Sequence, residues 1–403
     1  MNPTIVRVLT RLGAGGPPIH AVLLTRELSK FGYSSTLVTG SRDQQDGDMS
    51  YLLRKDDRVH SIPEMSRSVS PWQDLRALIA LYRFLRRVRP SIVHTHTAKA
   101  GVLGRIAARL AGVPVVVHTF HGNVLNHYFS PPANFAVRMI ERVLAYVTDG
   151  ICVLAPQQAH EIADCGIAPR DKIHIVPLGM DLTRLSEIAS LLNLARATRS
   201  GGRITVGWLG RCVAIKDIPL MLAVVKETLR RTDNVRFVVA GDGPEAPAIR
   251  ALADELGPER FEFLGWRKDV DSVLAGCDVL MQTSRNEGTP VALIQGMAAG
   301  RPFVSTAAGG VVDMVSGPLR REQDGCRWFD NAILVEADPA AFAAAFCALT
   351  ENPGEIVAMG QCAAAFANAT YSLPTMLQSL DALYSALLDK KSVSVPPVEA
   401  AHL

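Results

Sequence analysis

Short apolar runs alternate with stretches of helical spacing along most of the chain, and this alternation restricts the possible folds more than any other feature. In the first half the runs fall at 5–9, 36–39, 91–95, 113–119, 150–154 and 173–177, and 58–62 admits one more short strand. Helical patterns occupy 20–31, 72–89, 101–111 and 134–146 between them. Parallel neighbouring strands need a crossover, which a helix supplies, so this order predicts βαβ units and a parallel sheet. Residues 182–202 contain helix-prone, Ser and Gly residues without a strand, as suits an interdomain link. The alternation then restarts, with strands at 204–209, 235–240, 261–265, 279–284 and 302–305 and helices at 219–231, 246–256 and 289–300. The tail from 338 to 390 is alanine-rich and helical. The expected class is α/β, with two Rossmann-like doubly wound parallel-sheet domains. Their expected bounds are 1–180 and 203–370, with a linker at 181–202 and a C-terminal helix and frayed tail at 371–403.

Composition excludes several function classes. Of 403 residues, 48% are hydrophobic and 20% charged, enough for two ordinary cores. A net charge of +3 is too small to point to nucleic acid. The seven cysteines are scattered and form no CxxC pair, which argues against a disulfide scaffold and a zinc site and for a reducing compartment. The first apolar run is too short for a signal-peptide core, and no run reaches the roughly 18 residues a membrane span needs. A cytoplasmic protein is expected.

In open α/β sheets ligands bind outside the carboxyl ends of the strands. Those ends carry the segments 13–16, 94–99, 118–122, 210–216, 241–244 and 287–290, and two such sheets facing each other would enclose a cleft lined by them. In the last segment Thr289 is a good helix N-cap, Pro290 suits the first helical position and Gly300 can close the far end. Orphan amides at a helix start bind anions, so this is a natural phosphate seat. Glu287 stands just before it, and Gln295 follows about one and a half turns into the helix. Arg211 and Lys216 flank a glycine turn after a strand, where they can hold a diphosphate and offset charge on a leaving group. The Gly13-Ala14-Gly15-Gly16 loop fails the dinucleotide pattern, because Pro18 occupies the third glycine position. Strand 2 also runs into Val38-Thr39-Gly40-Ser41 without a closing acid, which disfavours a NAD enzyme.

Two histidine pairs end successive strands: His94 and His96, with Lys99 beyond, and His118 and His121. No carboxylate lies at ligand spacing with either pair, so a polar wall that orients a substrate is favoured over a metal. The helix at 72–89 has an apolar stripe of Leu75, Leu78, Ile79, Tyr82 and Leu85 that would cover the sheet. Its arginines, Arg83, Arg86 and Arg87 among them, lie mainly off that stripe and offer a basic face to an anionic membrane surface.

These loops together resemble those of the retaining GT-B glycosyltransferases of the GT4 family, from about residue 4 to 385. The text from Val93-His94-Thr95-His96-Thr97 to the 118–122 loop is similar to the branch that builds capsule, O-antigen and exopolysaccharide chains. The resemblance implies metal-independent transfer of a sugar, with retained configuration, from a nucleotide diphosphosugar (a UDP-sugar first) to a glycan or polyprenyl-diphosphate-linked acceptor. No cofactor is expected. It assigns the acceptor to the N-terminal domain, with His94, His96, Lys99 and His118 on that side, and the nucleotide to the C-terminal domain. Arg211 and Lys216 match the diphosphate cations, Glu287 the acid on the donor sugar, and His121 the histidine that faces the transferred sugar. Gly288, Thr289 and Pro290 would sit near the phosphates with Gly15, Gly16, Gly241 and Gly243, and Leu264 and Trp266 at the base. The helix around 371–388 would cross back to the N-terminal domain. One departure stands out: the family pattern Glu-x7-Glu has Gln295 at its second position, where the acid usually receives the ribose hydroxyls. Rival readings are a GT-B sugar-nucleotide epimerase and a non-catalytic nucleotide-sugar binder. A peripheral place on the inner face of the plasma membrane is compatible with the basic helix.

Overall fold

The structure, a computed structural model, describes residues 2–13, 16–40, 49–66, 68, 70–122, 131–197 and 203–391, without the side chains of 131–133 and 192–197. It divides into two units, Met1–Gly179 with Pro374–Leu403, and Met180–Leu373.

The first unit contains β1 (Thr4–Leu9), α1 (Gly16–Glu27), β2 (Ser34–Thr39), β3 (Val59–Ser61), α2 (Pro71–Val88), β4 (Ile92–His96), α3 (Ala98–Leu110), β5 (Val115–Phe120), α4 (Pro131–Tyr146), β6 (Gly150–Val153), α5 (Pro156–Asp164) and β7 (Ile173–Ile175). Its strands form a sheet of order β3-β2-β1-β4-β5-β6-β7, parallel throughout. The order reverses between β1 and β4, the switch point where such sheets leave a crevice for ligands. Helix α1 starts four residues earlier than its periodicity indicates, because Pro17 and Pro18 fit a first turn whose amides have no partner to lose.

On α2 the buried residues are Ala77, Leu81, Phe84 and Leu85, while Leu75 and Ile79 of the expected covering stripe are exposed together with Trp72. The expected stripe is thus met in part: Leu85 is buried and Leu78 and Tyr82 pack against the core, and the covered face is shifted towards Ala77, Leu81 and Phe84. Between α3 and α4, the fully buried Arg105 donates from Nη2 to both carboxylate oxygens of Glu141, at 2.9 and 2.7 Å.

The last helix, Leu373–Lys390, closes this unit from the far end of the chain. It presents Met376, Leu377, Leu380, Leu383, Tyr384 and Leu387 as one buried face. At its centre Tyr384 Oη accepts from Arg7 Nη1 at 3.1 Å and lies 2.6 Å from His94 Nδ1. Burying an arginine in the middle of β1 is tolerable only with such partners.

The second unit contains α6 (Thr183–Ala197), β8 (Ile204–Leu209), α7 (Ile218–Arg231), β9 (Val235–Ala240), α8 (Ala246–Leu256), β10 (Phe261–Gly265), α9 (Val270–Ala275), β11 (Val279–Gln282), α10 (Val291–Ala298), β12 (Phe303–Thr306), β13 (Arg321–Gln323), β14 (Cys326–Trp328), β15 (Ala332–Val335), α11 (Pro339–Glu351) and α12 (Pro353–Tyr371), after which α13 (Leu373–Lys390) begins. The sheet order is β10-β9-β8-β11-β12-β15-β14-β13, with β14 antiparallel to both of its neighbours and every other pair parallel. Here the switch point lies between β8 and β11. Residues 183–197, read from sequence as part of a link, form a helix of this unit, with Ser186 Oγ donating to Asn368 Oδ1 at 3.0 Å. The strands β13 to β15 are not among those expected, although β15 is an apolar, buried run, Ala332–Val335. Two have three residues, and β13 is exposed along its length, so no apolar alternation marks it.

Candidate active site

In the second unit, the loops leaving the switch-point strands β8 and β11 are tied together. Lys216 Nζ, after β8, donates to Glu287 Oε1, after β11, at 2.5 Å. The same oxygen accepts from Gln282 Nε2 at 2.6 Å, and Gln282 also reaches Ser284 Oγ at 2.9 Å. Thr283 Oγ1 donates to the Lys216 carbonyl at 2.9 Å, and the Arg285 amide to that of Ile215 at 2.9 Å. Asp217, held at φ 51°, caps α7 with its side chain and takes a second bond from Arg285 Nε at 2.8 Å. The Lys–Glu pair is thus clamped in place from both backbones. Neither partner is far from water: the side chains are 15% and 13% exposed. A cation and a carboxylate side by side, fixed and reachable, can engage a phosphate and a hydroxyl of one ligand.

Arg211 is exposed at the end of β8, beside this pair in sequence and clear of it in hydrogen bonding. Gly241 and Gly243 are needed for close approach. A Cβ on Gly241 would lie 1.9 Å from the Gly210 carbonyl oxygen, and one on Gly243 2.5 Å from that of Cys212. The β8 and β9 loops therefore touch backbone to backbone, with the Cys212 amide donating to the Asp242 carbonyl at 2.8 Å. Leu264 is half-buried at the end of β10, and Trp266 stands out at 68% exposure.

The capping expectation needs a correction. Helix α10 begins at Val291, and Pro290, with ψ 112°, is the residue before it; Thr289 makes no cap hydrogen bond. A residue before proline is forced towards extended backbone, which holds Thr289 out of the helix. Leu293 and Ile294 already return their amides to the Pro290 carbonyl, at 3.1 and 3.2 Å. Ahead of them the amides of Gly288, Thr289, Val291 and Ala292 stand at the helix start, Pro290 having none to offer. The far end does close on Gly300, at φ 71°, with Arg301 and Gly300 amides donating to the Gly296 and Met297 carbonyls at 2.8 Å each. Gln295 is half-buried on the fifth residue of α10.

In the first unit the histidines converge. His96 Nδ1 lies 2.9 Å from His121 Nε2, and His94 stacks on His96 with ring centroids 4.4 Å apart. His94 is fully buried, with Nε2 2.7 Å from Thr119 Oγ1, and His118 likewise, with Nδ1 2.8 Å from Thr95 Oγ1. Burial holds both well below the usual imidazole pKa, and it pushes His121 down to about 3, so this cluster is neutral. Lys99 pairs with Asp74 and donates to the Ser68 carbonyl at 2.5 Å. Gly16 opens α1, and Gly15 lies outside the described residues. Sequence reasoning missed two members. His20, from α1, packs its ring 5.0 Å from that of His121, and Gln282 closes the Glu287 pair. His20 is far from the histidine pairs in sequence, and only the β1–β4 adjacency brings it to them.

Two doubly wound units with the charged pair of one at its switch point define a protein of the GT-B architecture. The comparisons agree. The family model for glycosyl transferases group 1 matches residues 203–352, and that for the glycosyl transferase 4-like domain matches 15–179. The chain is 30% identical to an Escherichia coli UDP-Gal:alpha-D-GlcNAc-diphosphoundecaprenol alpha-1,3-galactosyltransferase, over 65% of this chain and 69% of that one. It is 24% identical to the putative glycosyltransferase EpsF of Bacillus subtilis, over 74% and 78%. The fold is shared with Anabaena Alr3699/HepE in complex with UDP, at TM-score 0.74, 18% identity and coverage of 95% and 100%. The chain belongs to the group 1 glycosyltransferases, with a glycosyl transferase 4-like N-terminal domain, and is an enzyme of sugar transfer.

Proposed function

We propose that this enzyme moves a sugar, with retention, from a UDP-sugar to a glycan or polyprenyl-diphosphate-linked acceptor in cell-surface polysaccharide synthesis. The observation that carries the reading is the Lys216–Glu287 pair at the β8/β11 switch point. In it Lys216 and Arg211 take the diphosphate with the amides that start α10, and Glu287 takes hydroxyls of the donor sugar. Charge developing on the departing phosphate is offset where those groups already stand, which lowers the barrier without reorganisation. The acceptor hydroxyl attacks from the leaving-group face, and its proton passes to a departing phosphate oxygen. His121 faces the transferred sugar as a neutral group. His94 and His118, buried behind it, hold its surroundings rather than touch the acceptor. The relatives support the substrates: the E. coli enzyme is named for UDP-Gal and a diphosphoundecaprenol acceptor, and the Anabaena structure holds UDP. A thermal-shift screen tests the donor. Saturating UDP at about 100 Kd raises folding stability by about 2.7 kcal/mol, and GDP or dTDP by less. No shift with any nucleotide would reject the reading, and product formed without acceptor would favour an epimerase.

In this reading Gln295, half-buried on α10, takes the ribose hydroxyls, since an amide oxygen accepts and its nitrogen donates. Gln295→Glu is expected to leave kcat unchanged and to lower the KM for the donor up to about tenfold, about 1.4 kcal/mol for a charged in place of a neutral acceptor. Complete loss of activity would show the ribose is elsewhere.

A peripheral contact with an anionic membrane is proposed for α2. Arg83, Arg86 and Arg87 are exposed, and Trp72, Leu75 and Ile79 are exposed on the same helix. Among the described residues no helix is long and apolar enough to cross a membrane. Each arginine near an anionic surface contributes about 1 kcal/mol, so the triple change to Gln should weaken co-sedimentation with phosphatidylglycerol liposomes roughly 100-fold. Unchanged binding rejects it.

A further inference from the structure

The histidine cluster of the first unit has more nitrogen than its hydrogen bonds use. His20, His96 and His121 each bring one ring nitrogen within 4.8 Å of the other two. They come from three elements: α1, the end of β4 and the loop after β5. Two buried nitrogens of this trio, His20 Nδ1 and His96 Nε2, have no hydrogen-bond partner among the described residues. His20 is 1% exposed and His96 fully buried, so neither nitrogen is served by bulk water. A buried imidazole nitrogen without a partner calls for a ligand, whether water or an ion. Three neutral imidazoles converging on one point are a donor set for an ion.

We propose that His20, His96 and His121 form a binding site for a first-row divalent transition-metal ion, Zn2+ foremost, with its fourth position open. Imidazole nitrogen suits Zn2+, and three protein ligands with an open position is the arrangement of sites that go on to bind a further oxygen. Bonds of about 2.0–2.1 Å in a tetrahedron set neighbouring nitrogens about 3.4 Å apart. Binding would draw the three nitrogens from within 4.8 Å of one another to that separation.

Two further observations fit. A metal-bound imidazole usually donates its other N–H to a fixed acceptor. His20 Nε2 already lies 3.1 Å from the Met376 sulfur, which leaves Nδ1 to bind the ion. His121, half-exposed at the edge of the trio, leaves the fourth position on the solvent side. The spacing of the pairs in sequence hid this site, because its third ligand is 74 residues before His94.

The experiment is a titration of the full chain, stripped of metal by chelation, with Co2+ and then Zn2+. One equivalent of Co2+ is expected to give visible bands of tetrahedral intensity, abolished by one equivalent of Zn2+. His20→Ala and His121→Ala, with circular dichroism matching the parent, should each weaken binding at least tenfold, while His160→Ala, an exposed histidine outside the trio, should not. A parent protein that binds no ion, or one with only a weak octahedral spectrum, overturns the proposal and leaves water on the orphan nitrogens. Binding retained in the His20→Ala/His121→Ala double variant overturns it too. The parent titration stands by itself should a variant fail to fold.

Discussion

Glu287→Gln should lower kcat/KM by roughly 100- to 1000-fold while leaving UDP affinity within about tenfold of the parent, the loss typical of removing one fixed transition-state contact. The substitution keeps shape and a hydrogen-bonding oxygen, so Gln282 Nε2 retains a partner where it now meets Oε1 at 2.6 Å. What disappears is the charge facing Lys216 Nζ at 2.5 Å. The lysine then stands unpaired and remains available to a diphosphate, which is why nucleotide binding persists while turnover falls. Lys216→Ala has a different partition: the diphosphate loses a cation in the ground state and loses more in the transition state, where charge has built up on it, so affinity and kcat fall together. Steady-state kinetics alongside calorimetric titration of UDP separates the two. Equal kcat in Glu287→Gln and parent would remove Glu287 from the site.

Glu141→Ala should destabilise the first unit by about 3–5 kcal/mol, the cost of leaving a buried arginine uncompensated. For a domain of this size that is a fall in melting temperature of about 6–20 °C. Arg105 is 0% exposed, and both of its strong acceptors are the carboxylate oxygens of Glu141 at 2.7 and 2.9 Å. Its remaining bond, Nε to the Gly101 carbonyl at 2.8 Å, cannot hold the charge alone. Removing both charges by Arg105→Met with Glu141→Leu should recover most of the loss, since the desolvation of two ions goes with them. Scanning calorimetry reads both variants. A single variant within 1 kcal/mol of the parent would show that water reaches the guanidinium.

The periodicities of this chain were enough for its class and for most of its elements. A run such as Val235–Ala240, short, rich in valine and closed by Gly241, reads as buried strand, and α7 and α8 each carry a buried stripe. Local chemistry also identified the loops after β8 and β11, because glycine, cation and carboxylate at a strand end are unusual together. Position within an element was less legible. Thr289 stands one residue before the true N-cap of α10, Pro290, and the covered face of α2 is shifted by part of a turn, since several rotations of an amphipathic helix bury similar residues. The short strands β13 and β14 were silent because three residues hold too little pattern.

What the sequence determined by itself was the alternation of strand and helix, hence two parallel sheets, and the kinds of group at their strand ends. Hydrophobic spacing is local, and so it survives in one dimension. Only the tertiary structure decided which ends are neighbours. It put β8 beside β11, and with that adjacency Lys216 against Glu287, 71 positions away. It put β1 beside β4, and with that His20 against His96 and His121. Strand order is set by which buried faces pack and which crossovers fit, a property of the whole sheet, and no local pattern contains it.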